Sequence, residues 1–138
     1  MKHYFVDTNV LLDFLIQREP FGAETLQLFE AGARGLAKLY VSSLSFSHIY
    51  YALRKTNPAP ERIDKLLKLA RLVHIIPVDR NVLEEALQLG FADFEDGIQY
   101  SAALAVAAVA AIVTRDPKGF SASQLHVLSP AEALRRVT

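Results

Sequence analysis

The apolar runs KHYFV (2–6), LAKLYVSS (36–43), VHIIPV (73–78), AAIVT (110–114) and LHVLS (125–129) are each short enough for a strand, and segments of helical periodicity separate them. Strands joined through helices cross over the sheet instead of turning back as hairpins. The pattern therefore predicts a mostly parallel sheet covered by helices on both faces, a three-layer α/β domain. With 138 residues, 51% of them hydrophobic, the chain is the size of one domain with a substantial core, and residues 1–138 read as a single unit.

Between the runs, Val10, Leu11, Phe14 and Leu15 have helical spacing, and Glu19-Pro20 ends that helix. A second helix is expected over 23–31, stopped by Gly32 and Gly35, and a third through SHIYYALRK, with Ser42, Ser43 or Ser45 as its cap. In ERIDKLLKLARL, Ile63, Leu66, Leu67 and Ala70 share one face, with Arg62, Lys65, Lys68 and Arg71 over the other half. Asp79 is placed to cap a helix that Gly90 stops. FADFEDGIQYSAALAVAAVA reads as one long Ala-rich helix preceded by acids. Ser129, Pro130 and Glu132 form a strong start for the last helix.

The 15 basic and 15 acidic side chains cancel, so no global field draws the chain to a polyanion, and any such binding is local. The absence of cysteine excludes disulfides and thiolate metal sites and fits a reducing cytosol. MKHYFVDTN has no uninterrupted apolar core of a signal peptide, and the run 102–113 is shorter than the ~20 residues of a membrane span. The expectation is a soluble protein.

In a parallel sheet, ligands bind beyond the carboxyl ends of the strands. Asp7 directly follows the first run and Asp116 lies just past AAIVT, so both belong to that edge; Asp96, with Asp93 and Glu95 beside it, opens the Ala-rich helix toward the same edge. Taken singly, each has an ordinary reading: Asp7 and Asp96 as helix-capping or dipole groups, Asp116 before Pro117 as a turn residue. Asp13, Asp64 and Asp79 read as helix-face or capping groups. Convergence changes the balance, because two carboxylates ~4 Å apart repel by ~4 kcal/mol at an effective dielectric of ~20. A divalent cation resolves that repulsion, and an oxygen-only donor set points to Mg²⁺ or Mn²⁺.

The blocks FVDTNVLLDFL, VSSLSFSHIYYALRK, DFEDGIQYSAAL, IVTRDPKGF and VLSPAEAL together resemble the PIN-domain ribonucleases, including the VapC-type toxins of toxin–antitoxin systems. The resemblance runs nearly end to end, and its first and IVTRD blocks are specific in combination. It implies a parallel sheet of about five strands, a Mg²⁺ or Mn²⁺ site at its carboxyl edge, and hydrolysis of RNA phosphodiester bonds. It implies Asp7, Asp96 and Asp116 as metal-binding catalytic residues, with Thr8 and Asn9 donating hydrogen bonds that hold Asp7. It further implies a cytoplasmic protein, a homodimer and a small antitoxin that covers the acidic site.

One position departs from the family pattern. Where many members carry Glu, SFSHIYYAL has His48, a neutral imidazole able to ligate Mn²⁺ or orient water but a poor Mg²⁺ ligand that brings no negative charge. Glu95 or Asp93 are the acids available to compensate; the bland reading of His48 is a half-buried helix residue. Arg115 and Lys118 are candidate phosphate contacts, with pairing to a nearby Asp the plainer role for Arg115. Arg54, Lys55 and the basic half of 62–71 are candidate RNA-backbone contacts, and Tyr40, Tyr50 and Tyr51 are either stacking surfaces or core.

Asn9 replaces the second Asp that a haloacid dehalogenase-type phosphatase needs, and no central strand ends in a phosphoacceptor Asp as a receiver domain requires. The remaining alternative is a PIN-fold protein that binds RNA or a protein partner without cleaving.

Overall fold

The computed structural model describes residues 1–137. The elements run β1 (Lys2–Val6), α1 (Thr8–Ile16), α2 (Gly22–Ala33), β2 (Ala37–Ser42), α3 (Ser43–Ala52), α4 (Ala59–Leu72), β3 (His74–Ile76), α5 (Arg80–Leu89), α6 (Phe94–Leu104), β4 (Ala111–Val113), a 3₁₀ turn (Pro117–Phe120), β5 (His126–Leu128) and α7 (Pro130–Val137). All five strands are parallel, in the order β3-β2-β1-β4-β5. The chain starts at the centre, builds outward through β2 and β3, then returns to the other side of β1. The crevice between β1 and β4 is thus the point where the winding reverses, and both strands deliver their carboxyl ends to it.

Alternation along the strands builds the three layers. Tyr4, Val6, Leu39, Val41 and Val113 face a core completed by Val10, Leu11, Leu28, Phe29, Ile49 and Leu69, while Phe5, Tyr40 and Ile112 face one completed by Val82, Ala86, Ile98, Ala102 and Phe120. Among the described residues no helix is long and apolar enough to cross a membrane. The final helix opens on the expected capping box: Glu132 N–H donates to Ser129 Oγ (3.1 Å), and Ser129 N–H donates to Glu132 Oε1 (3.0 Å).

Three expectations require correction. The Ala-rich helix stops at Leu104, because the chain must turn there to bring Ala110 N–H to the His3 carbonyl (3.1 Å) and start β4 beside β1. Alanine favours helix but buries too little surface to oppose that turn. The inward stripe of α4 is shifted by about one residue: Leu69 is buried, whereas Ile63 and Leu67 are about half exposed. Arg62 and Lys65 take the inward phase, their heads bonding the carbonyls of Tyr50 (3.3 Å) and Leu15 (3.3 Å), so their stems pack where apolar residues were expected. Finally, Asp13 is no surface group. It is fully buried in α1 and paired with Arg115 through two hydrogen bonds, one of 3.2 Å from Nη2, and with Arg18 at 3.4 Å.

That pair ties α1 to the loop after β4. Removing Arg115 leaves the buried Asp13 with Arg18 alone, at a cost toward the low end of the ~3–5 kcal/mol of a broken buried pair, whereas removing Asp13 frees both arginines. Arg115 retains about a quarter of its exposure and Asp13 none, so the two deletions are unequal. Arg115→Ala is expected to destabilise by about 3 kcal/mol and Asp13→Ala by about 2, since the stranded arginine reaches water. Urea unfolding of both variants checks the order.

Candidate active site

Asp7 ends β1 and caps α1, so strand and helix meet at its carboxylate. The side chain is only 7% exposed, and burial at that depth demands hydrogen-bond partners. Oδ1 accepts from the backbone N–H of Thr8 (2.9 Å) and the Gln99 amide (3.4 Å), and Oδ2 accepts from the Thr114 hydroxyl (2.8 Å). Thr114 also accepts from the Asp116 N–H (3.0 Å) and the Asn9 amide (3.4 Å), linking the first acid to the last through one hydroxyl.

These contacts give Thr8 and Asn9 different parts. Thr8 holds Asp7 by its main chain alone, because its hydroxyl points round α1 to Ser45 Oγ (2.8 Å) and the Gln99 amide (2.9 Å). The Asn9 side chain reaches Asp7 only through Thr114, and accepts from the Arg115 N–H (3.4 Å). Gln99 is the residue the sequence did not disclose. Its amide donates to Asp7, Thr8 and Ser45, and its oxygen accepts from the Ser42 hydroxyl. The available signal was its place three residues after Asp96, one turn along the same face of α6.

Asp93 is the N-cap of α6, accepting from the N–H groups of Glu95 (2.8 Å) and Asp96 (3.2 Å), which orients the helix that carries Asp96. Burial pushes the Asp96 carboxyl up to about 6, with Asp93, Asp7, Asp116 and Glu95 adding repulsion in that order. Burial also raises Asp7 against its hydrogen bonds, and Asp116 adds to the rise. Asp96 and Asp116 approach one point over Gly119, where a Cβ would stand 2.5 Å from Asp96 Oδ2 and 3.6 Å from Asp116 Oδ2. Glycine at 119 keeps that space open.

A cavity of about 470 Å³ opens here, lined by Asp7, Asp96, Gln99, Glu95, His48 and Tyr51 among others. Asp116 is exposed beside it on the loop after β4. His48 Nε2 lies 3.6 Å from Glu95 Oε2 across the rim, so Glu95 is turned toward the imidazole. The Arg115 guanidinium is taken up by Asp13 and lies 4.1 Å from the centre of the Phe21 ring; Lys118 is exposed in the 3₁₀ turn.

Among the described residues, no three His, Cys, Asp or Glu side chains converge tightly enough to hold one ion by themselves. The donor set nevertheless fits a hard divalent cation: carboxylate oxygens, mutual repulsion that a cation would relieve, and a gap kept clear by Gly119. Water would complete such a shell, as is usual for Mg²⁺.

A family model described as PIN domain matches residues 3–118. The chain belongs to the PIN domain family. A ribonuclease VapC1 from Aquifex aeolicus (strain VF5) is 26% identical over 137 residues, covering 96% of this chain and 93% of that protein. The DNA-bound VapBC of Salmonella typhimurium superposes with a TM-score of 0.72 at 12% identity, over 94% of this chain and 99% of the other. VapBC2 of Rickettsia felis, bound to a DNA fragment from its promoter, gives 0.70 at 18% identity, over 92% and 98%. These likenesses establish the PIN fold with its five-stranded parallel sheet.

Raised carboxyl pKa values have a defined consequence for stability. Between the unfolded value near 3.8 and the folded value near 6, the folded metal-free PIN domain binds more protons at Asp96 than the unfolded chain, so its stability falls as pH rises through that window. Asp7 contributes with the same sign. Asp96→Asn is expected to flatten the decline and to raise stability at pH 7, measured by urea unfolding in chelator from pH 4 to 8. Thr114→Val, which strands Asp7 Oδ2, is expected to cost about 1–3 kcal/mol in the same assay.

Proposed function

We propose that this PIN domain is a metal-dependent endoribonuclease of the cytoplasm, and the toxin component of a toxin–antitoxin pair. The observation that carries the reading is the placement of Asp7, Asp96 and Asp116 at the β1–β4 crevice, where burial first and the neighbouring acids second raise Asp96 to about 6. The named relative is a ribonuclease, and the superposed VapBC assemblies support an antitoxin as partner. The family and the oxygen donors support a divalent ion, Mg²⁺ or Mn²⁺.

Asp7, Asp96 and Asp116 are the residues that would hold the ion, which supplies Lewis-acid activation of water and of the phosphoryl oxygen for in-line attack. The protein's own work is positioning. Thr114 and Gln99 fix the Asp7 carboxylate, Asp93 aims the first turn of α6, and the Asp13–Arg115 pair anchors the segment that carries Asp116. A buried carboxylate held as Asp7 is loses little freedom when a cation arrives. An antitoxin and a second copy of the chain are the protein partners this reading assigns.

A second reading, RNA or protein binding without cleavage, rests on His48, which brings no charge to the pocket and faces Glu95. Calorimetry with Mg²⁺ and Mn²⁺, and cleavage of a structured RNA in the same samples, separates the two. Wild type is expected to bind an ion and cleave, and Asp7→Asn, Asp96→Asn and Asp116→Asn each to lose about 100-fold or more in cleavage together with weakened ion binding. Wild type that binds neither ion at millimolar concentration and leaves RNA intact overturns the nuclease.

A further inference from the structure

The three tyrosines singled out in the sequence have three different environments. Tyr40 is core, 6% exposed, and its hydroxyl lies 2.9 Å from His3 Nδ1. Tyr50 is half-buried beneath Arg62, whose guanidinium lies 4.2 Å from the ring centre while Nη1 donates to the Tyr50 carbonyl. Tyr51 is 64% exposed and lines the acidic cavity. Its hydroxyl bonds no protein atom among the described residues.

Residues 48, 51 and 52 are spaced by three and four on α3, so one face of that helix presents His48, Tyr51 and Ala52 to the cavity. Arg54 folds back over the Tyr51 ring, 3.7 Å from its centre, and its Nη1 donates to the Tyr51 carbonyl at 2.9 Å. That contact covers one side of the ring and restrains it. No carboxylate pairs with Arg54 among the described residues, which leaves its remaining N–H groups directed to solvent.

We propose that Tyr51 and Arg54 form a nucleobase platform at the mouth of the acidic cavity: an unpaired base of the RNA stacks on the Tyr51 ring while Arg54 meets a neighbouring phosphate. The proposal rests on the ribonuclease reading and adds a substrate subsite to it. The chemistry favours RNA over other ligands on three counts. A floor of carboxylates repels a phosphate unless a cation stands on it or beside it, and Arg54 is the cation stacked on the cavity-lining Tyr51. An exposed aromatic ring, held flat by a guanidinium, is the surface on which single-stranded bases stack whatever their sequence. A cavity of about 470 Å³ with its ring at the edge is large enough to seat a nucleotide.

The test uses a short single-stranded RNA carrying 2-aminopurine, with anisotropy and fluorescence read in millimolar Ca²⁺ and cleavage of the same RNA read in Mn²⁺. Wild type is expected to quench the 2-aminopurine on binding. Tyr51→Ala is expected to bind about 10-fold or more weakly with quenching lost, and Tyr51→Phe to stay within about 2-fold of wild type with quenching kept. Arg54→Ala is expected to weaken binding and reduce the slope of log affinity against log salt by about 0.7, one phosphate contact on a single strand. Tyr51→Ala that binds and quenches like a cleaving wild type overturns the platform, leaves the nuclease standing, and makes the exposed ring a surface for a protein partner. Wild type that neither binds nor cleaves this RNA overturns the platform together with the ribonuclease reading beneath it.

Discussion

Everything at the carboxyl edge of this sheet is organised around a carboxylate that is almost out of water. Asp7 stands 7% exposed at the end of the central strand, and a group so placed must find donors on every side. The donors are the Thr8 N–H opening α1, the Thr114 hydroxyl after β4 and the Gln99 amide in α6, and Gln99 in turn accepts from the Ser42 hydroxyl and donates to that of Ser45 at the junction of β2 and α3. Satisfying one buried acid thereby pins the two central strands and both helical layers at the crevice. The result is a hydrogen-bonded floor, above which Asp96 and Asp116 are the more exposed acids.

How much of this was legible follows from the range of each interaction. Parallel topology was legible from strands alternating with helices that carry the chain across the sheet, although β4 and β5 are joined through a 3₁₀ turn instead of an α-helix. The capping box at Ser129 and the cap at Asp79 were legible because caps are made within four residues. Asp7, Asp96 and Asp116 could be placed together since strand ends and helix starts have known positions in such a sheet. Gln99 and Thr114 were not visible as supports of Asp7: those contacts join residues 92 and 107 positions apart, and nothing local in a glutamine or threonine announces them.

The two misjudged helices share a cause. In α4 the expected phase counted only apolar residues, yet Arg62 and Lys65 bury aliphatic stems and spend their charges on carbonyls of neighbouring segments. In the Ala-rich segment propensity was overruled by sheet register, since β4 must begin where Tyr4 meets Ala111. Asp13 illustrates the same limit. Its partner Arg115 lies 102 residues away, and only the fold reveals that an acid on an apolar helix is the anchor of the loop bearing Asp116.

The position of His48 becomes intelligible from the charge already present. Asp96 is held up near 6 by its burial and by four acids around it, so like charges already repel one another in the pocket. A further carboxylate at position 48 would deepen the attraction for an ion and the repulsion of a polyanion together. An imidazole there relaxes both, with its Nε2 3.6 Å from Glu95 Oε2 across the rim. On the proposed reading, Asp7, Asp96 and Asp116 would supply the acid that attracts a divalent ion, and His48, Tyr51 and Arg54 would add no negative charge against a phosphate backbone. Charge is concentrated on the floor and thinned at the entrance, the distribution needed to bring a cation and a polyanion to the same crevice.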